Sequence, residues 1–289
     1  MNVDQNEVKM IQIGCINELI VKLKNNNGYY LQDNLSDDEA FLPHSNCEET
    51  LEIDQRVEVF VFLDNDNKMI ASLKRPIAIV DEFGLMSAVD SIHIGAFFDW
   101  GISKNLFVPD TEQKQDIHSG DLEIIRVCLD ERTEKVYGTT KIGKYIKSSD
   151  FNKYNIKEGD KITIIPAKKE KLGYRCIINK HFIGIVYYNQ IFTKIRIGEP
   201  IEGVVKKLRD DGLVDAALQV QGFQNLVDSK DKILAYLKEN GGKSHLHDKS
   251  SPQDIKDILG MSKQTFKNTI GMLYRERKII ITKKGIHLP

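Results

Sequence analysis

The chain is 289 residues long, 41% hydrophobic and 29% charged, the make-up of a folded soluble protein and not of a disordered one. No stretch approaches the roughly 18 consecutive apolar residues of a membrane span, and Cys15, Cys47, Cys128 and Cys176 lack the Cys-x-x-Cys spacing of a zinc or redox site. We therefore expect a cytoplasmic protein with reduced thiols, no cofactor and no membrane contact; the formal net charge of −1 says little until the chain is divided.

In chain order, Gly28-Tyr29-Tyr30-Leu31 and Phe41-Leu42-Pro43 set the first pattern, a glycine leading an aromatic strand and then a short apolar strand ending in proline. Residues 56–66 and 69–74 follow as two apolar-alternating strands around an acidic turn, which is the signature of a β-hairpin. The pattern returns in Gly95-Ala96-Phe97-Phe98, Leu106-Phe107-Val108-Pro109 and a hairpin over 121–130 and 136–141. A third copy runs through Gly173-Tyr174-Arg175-Cys176, Gly184-Ile185-Val186-Tyr187-Tyr188 and a hairpin over 200–208 and 213–218, with Arg209-Asp210-Asp211-Gly212 as its turn. Such self-similarity predicts one small unit used three times. Short strands parted by turn signals predict a five-stranded barrel of about 65 to 80 residues per copy.

The tail has a different period. Residues 229–240 carry Ile233, Leu234 and Leu237 on one helical face and stop at Gly241-Gly242. Ser251-Pro252-Gln253-Asp254 reads as a capping box with proline at the first helical position, opening a short helix that ends at Gly260. Ser262 caps a third helix, with Phe266, Ile270, Leu273 and Tyr274 expected inward and Lys263, Lys267 and Arg275 outward. Residues 278–282, the turn Lys283-Lys284-Gly285 and residues 286–288 form a hairpin, so the tail is expected to be a winged helix. The expected division is 1–74, 75–141 and 142–221 for the barrels and 222–289 for the winged helix.

Divided in this way, the charge is asymmetric. Residues 1–74 hold 6 Lys+Arg against 14 Asp+Glu and residues 75–141 hold 7 against 12, giving −8 and −5. Residues 142–221 hold 15 against 9 and residues 222–289 hold 13 against 7, giving +6 in each. A polyanion is repelled by the first half and attracted by the second.

Ile94-Gly95-Ala96-Phe97-Phe98-Asp99-Trp100-Gly101 resembles the strand of S1 RNA-binding domains in which glycine, alanine and phenylalanine precede the nucleic-acid face. With residues 103–109 and the order of three such barrels before a winged helix, nearly the whole chain resembles the bacterial conserved virulence factor B family. The resemblance implies three tandem S1/OB-type barrels followed by a winged helix, RNA binding, and an effect on gene expression after transcription.

Candidate contacts follow from residue chemistry. In the second repeat Phe97 and Trp100 either stack on bases or pack inside, Phe98 and Phe107 read as core, and Lys104 is a candidate phosphate contact. The third repeat interleaves Lys168, Lys169, Tyr174 and Arg175, then Lys206, Lys207 and Arg209, a mixture suited to a single-stranded backbone with bases stacked alongside. In the winged helix Lys263, Lys267, Arg275, Lys283 and Lys284 could meet phosphates, with Gln264 and Asn268 as base-edge readers. Catalytic signals are poor. Gly242-Lys243-Ser244 lacks the earlier glycine of a phosphate-binding loop, Leu237 standing there, and His245 and His247 lack further ligands at metal spacing. The expected function is a non-enzymatic RNA-binding regulator whose second and third barrels and winged helix form one positive surface. The alternatives are an adaptor of the transcription or translation machinery that docks proteins through its acidic first barrel and its winged helix, and a DNA-binding regulator that uses the winged helix alone.

Overall fold

The computed structural model describes residues 11–34, 38–47, 49–191, 195–218, 223–282 and 284–289. In the first barrel β1 (Ile16–Asn25), β2 (Gly28–Gln32), β3 (Glu39–Pro43), β4 (Arg56–Leu63) and β5 (Met69–Ser72) close in the order β1-β2-β3-β5-β4. The second has β6 (Phe83–Ile92), β7 (Gly95–Phe98), β8 (Leu106–Pro109), β9 (Leu122–Asp130) and β10 (Lys135–Thr139) in the order β10-β9-β6-β7-β8. Its edge strands β8 and β10 lie alongside each other. A short helix α1 (Ser149–Lys153) precedes the third barrel, in which β11 (Lys161–Lys169), β12 (Gly173–Ile178), β13 (Phe182–Tyr187), β14 (Ile201–Leu208) and β15 (Val214–Leu218) close as β11-β12-β13-β15-β14.

The alternation that predicts these strands also fills the barrels. On β11 Ile162 and Ile164 are buried while Lys161 and Thr163 are exposed, and on β8 Leu106 and Val108 point in while Phe107 and Pro109 stay half-buried. The repeated glycine is there because the neighbouring strand runs too close for a side chain. A Cβ on Gly28 would sit 2.2 Å from the Leu42 carbonyl oxygen, and one on Gly95 would sit 2.4 Å from that of Val108. Each barrel's first strand carries a bulge at the same place, between Val21 and Leu23, Ala88 and Asp90, and Pro166 and Lys168. The bulge adds the bend that rolls a sheet into a barrel.

Adjacent barrels share side chains. Trp100, in the loop after β7, is 1% exposed; its indole N–H donates to Ala78 O at 2.7 Å and its edge meets Phe60 of the first barrel, with ring centroids 5.2 Å apart. Between the second and third barrels Phe83, Ile124, Ile142, Ala167, Ile177 and Ile183 form one buried cluster. Arg126 lies beside it, donating to Asp81 Oδ1 at 2.7 Å and to the Asp81 carbonyl at 2.5 Å, with its guanidinium over Phe83 and Tyr145. A nearly buried arginine is tolerated here because a carboxylate, a carbonyl and two aromatic faces replace its water.

The winged helix holds α2 (Phe223–Glu239), β16 (Lys243–Ser244), α3 (Pro252–Leu259), α4 (Lys263–Arg275), β17 (Ile280–Thr282) and β18 (Gly285–His287). The capping chemistry acts as the sequence suggests: the Ser251 hydroxyl accepts from Asp254 N at 3.0 Å, Ser262 from Thr265 N at 3.1 Å, and Gly260 takes the left-handed conformation at φ 64°. Two details differ from expectation. The first helix begins at Phe223, ahead of residue 229, and Tyr274, expected inward, is 55% exposed. The buried stripe of α4 is Phe266, Thr269, Ile270, Met272 and Leu273, and one further residue turns about 100° away from it.

Candidate nucleic-acid interface

Register brings together residues far apart in sequence. Tyr30 on β2 stands directly opposite Phe41 on β3, and Phe97 on β7 opposite Phe107 on β8. Both pairs sit two residues inside a Gly-to-Pro match, Gly28 with Pro43 and Gly95 with Pro109. The rings lie 5.0 Å and 5.1 Å apart with tilts of 46° and 45°. All four are half-buried and face away from the barrel cores. An open aromatic face at the same register on two barrels is a platform on which bases can stack. In the third barrel the equivalent pair is Arg175 with Ile185, so a stacking position there becomes a charged one.

The second pair borders a cleft of about 320 Å³ at the junction with the first barrel, lined by Phe97, Phe107, Tyr137, Lys104, Lys135 and the chain over 62–65. Trp100 forms its inner wall and is sealed in the junction, so stacking by Trp100 is corrected to packing. Lys104 is also held back from solvent. Its Nζ donates to Leu63 O at 2.5 Å and lies 5.4 Å over the Phe62 ring, and burial pulls its ammonium below the usual lysine range. It ties the two barrels together at the cleft and is not a free cation. Lys135 at the mouth is exposed, and Phe107, expected in the core, is part of the open pair.

The third barrel's two basic groups lie at opposite ends. Ile164 of β11 pairs with Ile201 and Lys161 with Val204, so Lys206, Lys207 and Arg209 run past the start of β11 while Lys168 and Lys169 sit at its far end. At a strand rise of roughly 3.3 Å per residue, on the order of 25 Å separates them. Arg209 is engaged locally with Asp211 at 2.6 Å and Asp215 at 3.8 Å, and Tyr187 donates to Asp215 at 3.1 Å. Lys206 and Lys207 are exposed. At the other end Tyr174 meets Tyr188 edge-on at 5.7 Å, Lys169 lies 6.0 Å over the Tyr188 ring, and Arg175 pairs with Glu170 at 2.8 Å.

On the winged helix Gln264 and Lys267 are exposed and Lys263 and Asn268 half-buried along α4, while Lys284 is exposed in the wing turn; Lys283 lies outside the described residues. The Gln264 amide donates to Asn268 Oδ1 at 3.0 Å, so the two base-edge candidates satisfy each other. Arg275 reaches back to the third barrel, donating to Ile191 O at 3.3 Å. Among the described residues no His, Cys, Asp and Glu cluster could hold a metal ion, and no helix is long and apolar enough to cross a membrane.

Residues 231–288 match the CvfB-like winged helix domain, and residues 13–74 match the S1 domain. The chain is 27% identical to the Bacillus subtilis protein YitL over 87% of its length and 85% of the relative's. It is 24% identical to conserved virulence factor B of Staphylococcus aureus, over 83% of this chain and 84% of that one. A solved structure, of a multidomain protein with nucleic acid binding domains from Streptococcus pneumoniae, aligns over 96% of this chain and 99% of its own with 23% identity and a TM-score of 0.43.

Proposed function

For a chain similar to the conserved virulence factor B proteins over most of its length, we propose a non-enzymatic, cytoplasmic protein that binds single-stranded RNA and regulates gene expression after transcription. The observation that carries this reading is the open aromatic pair, Tyr30 with Phe41 and Phe97 with Phe107, repeated at one register on two barrels. Stacked rings hold unpaired bases and have nothing comparable to offer a paired duplex, whose bases are already stacked. Stacking supplies attachment where the barrels are acidic, and the cations of residues 142–289 supply the phosphate attraction. We divide the labour at 1–74, 75–141, 142–221 and 222–289. The first barrel, at −8, is the weakest RNA ligand and the better surface for a protein partner, and the winged helix contacts RNA or DNA through phosphates more than through base edges.

The test is filter binding of a single-stranded RNA and of its duplex at several salt concentrations. The single strand should bind more tightly, with affinity falling steeply as salt rises. A protein that ignores both RNAs at low salt removes this reading in favour of an adaptor.

A further inference from the structure

A second cleft, of about 550 Å³, lies between the second and third barrels. Its floor is apolar: Ile117, Ile124 and Ile142 are buried there, while Leu122 on the wall keeps 46% of its surface exposed. Its rim carries Lys114, Lys141, Lys144, Lys168 and Arg175 against Glu123 and Glu170. Most of these charges are already engaged. Arg175 holds Glu170 at 2.8 Å, Lys144 holds Glu112 at 3.3 Å, Lys141 Nζ donates to Thr111 O at 2.6 Å, and Glu123 accepts from Gln115 at 3.1 Å. The ammonium groups of Lys114 and Lys168 have no partner among the described residues. One faces the cleft from each barrel. The walls are preset, because Ile124, Ile142 and Ala167 belong to the cluster that joins the barrels, and a site that needs no rearrangement loses little on binding.

We infer that this cleft seats a single nucleotide unit, its base against the apolar floor and its phosphate drawn to Lys114 and Lys168. The volume lies within the range of about 300 to 1,000 Å³ of small-ligand sites, and an apolar floor beside two unpaired ammonium groups suits a ligand that is flat at one end and anionic at the other. The inference rests on the RNA-binding reading, which supplies ligands of that chemistry. The unit is either one residue of a bound strand or a free nucleotide.

The full chain is titrated with a ten-residue oligouridylate and with uridine 5′-monophosphate. The variants are the double Lys114→Glu/Lys168→Glu, the uncharged Leu122→Asn, and a charge-matched Lys68→Glu/Arg132→Glu, whose side chains are exposed outside the cleft. Weakening of about tenfold in the first two, with the control double variant much less affected, supports the site. Binding of the mononucleotide, lost in the same variants, assigns it to free nucleotide; binding of the oligonucleotide alone assigns it to a strand residue. If the wild type binds the oligonucleotide while the cleft variants match it and the mononucleotide fails to bind, the cleft assignment falls and RNA binding stands. If the mononucleotide binds in the cleft and RNA does not bind at all, the cleft stands and the RNA reading falls. If neither ligand binds the wild type, both fall.

Discussion

Truncating Trp100 separates packing from stacking with one residue. Its ring is 1% exposed, packs edge-on against Phe60 across the junction of the first two barrels, and donates to Ala78 O at 2.7 Å. Trp100→Ala should lose about 3 to 5 kcal/mol for the cavity left behind. It also leaves the Ala78 carbonyl without its buried donor, at about 1 to 3 kcal/mol if water cannot reach it. Against a total stability of about 5 to 15 kcal/mol, the variant should unfold near the temperature at which the wild type is still intact. Together these losses come to about 4 to 8 kcal/mol, so with a urea slope of about 3 kcal/mol per molar the unfolding midpoint should fall by about 1 to 3 M. Circular dichroism against urea measures that shift. Trp100→Phe keeps most of the area and loses only the N–H bond, so it should fall between. In the unmodified protein the single tryptophan should emit at short wavelength, resist iodide and ignore saturating RNA. Iodide-accessible emission, or a Trp100→Ala variant as stable as the wild type, would refute the packing argument.

Phe97→Ala/Phe107→Ala should do the reverse, costing about 1 to 3 kcal/mol of RNA affinity per base unstacked, with a smaller change in the urea midpoint than Trp100→Ala; filter binding beside urea denaturation checks both. If Lys263 and Lys267 each meet a phosphate, Lys263→Glu/Lys267→Glu should flatten the slope of log affinity against log salt by about 1.4, at about 0.7 per single-strand contact, and an unchanged slope would take the face of α4 off the path. Burial holds His181 below its usual value of 6.5, with Glu82 pulling the other way. The unfolded chain then takes up a proton first, so stability present above pH 6.5 should be lost as pH falls through the folded value. Urea midpoints at pH 7.5 and 5.5 should differ less in His181→Gln than in the wild type.

The fold was legible because each of its signals is local. Period-two alternation around charged and polar turns marks the three hairpins, and Ser251, Gly260 and Ser262 mark helix ends by chemistry acting within four residues. The site was harder to read. The Tyr30–Phe41 and Phe97–Phe107 pairs depend on strand register, although aligning Gly28 with Pro43 and Gly95 with Pro109 would have revealed them. Trp100 was ambiguous because its partner Phe60 belongs to another barrel, forty residues earlier in sequence, and no periodicity within one repeat encodes a contact between repeats. The same holds for Lys104, whose carbonyl partner Leu63 lies across that junction.

The shared side chains at both barrel junctions have a consequence for avidity. Modules on flexible linkers find successive parts of a strand at an effective concentration set by linker length, and they tolerate many spacings. Here Trp100 against Phe60, and Phe83 and Ile142 against Ile177 and Ile183, leave no such freedom. On the RNA-binding reading proposed above, the protein would then act as a ruler. A strand whose bases match the fixed interval between platforms gains the full multivalent benefit, and one that must stretch or loop to reach loses it, so selection among RNAs can come from length and local slack even where no base edge is read.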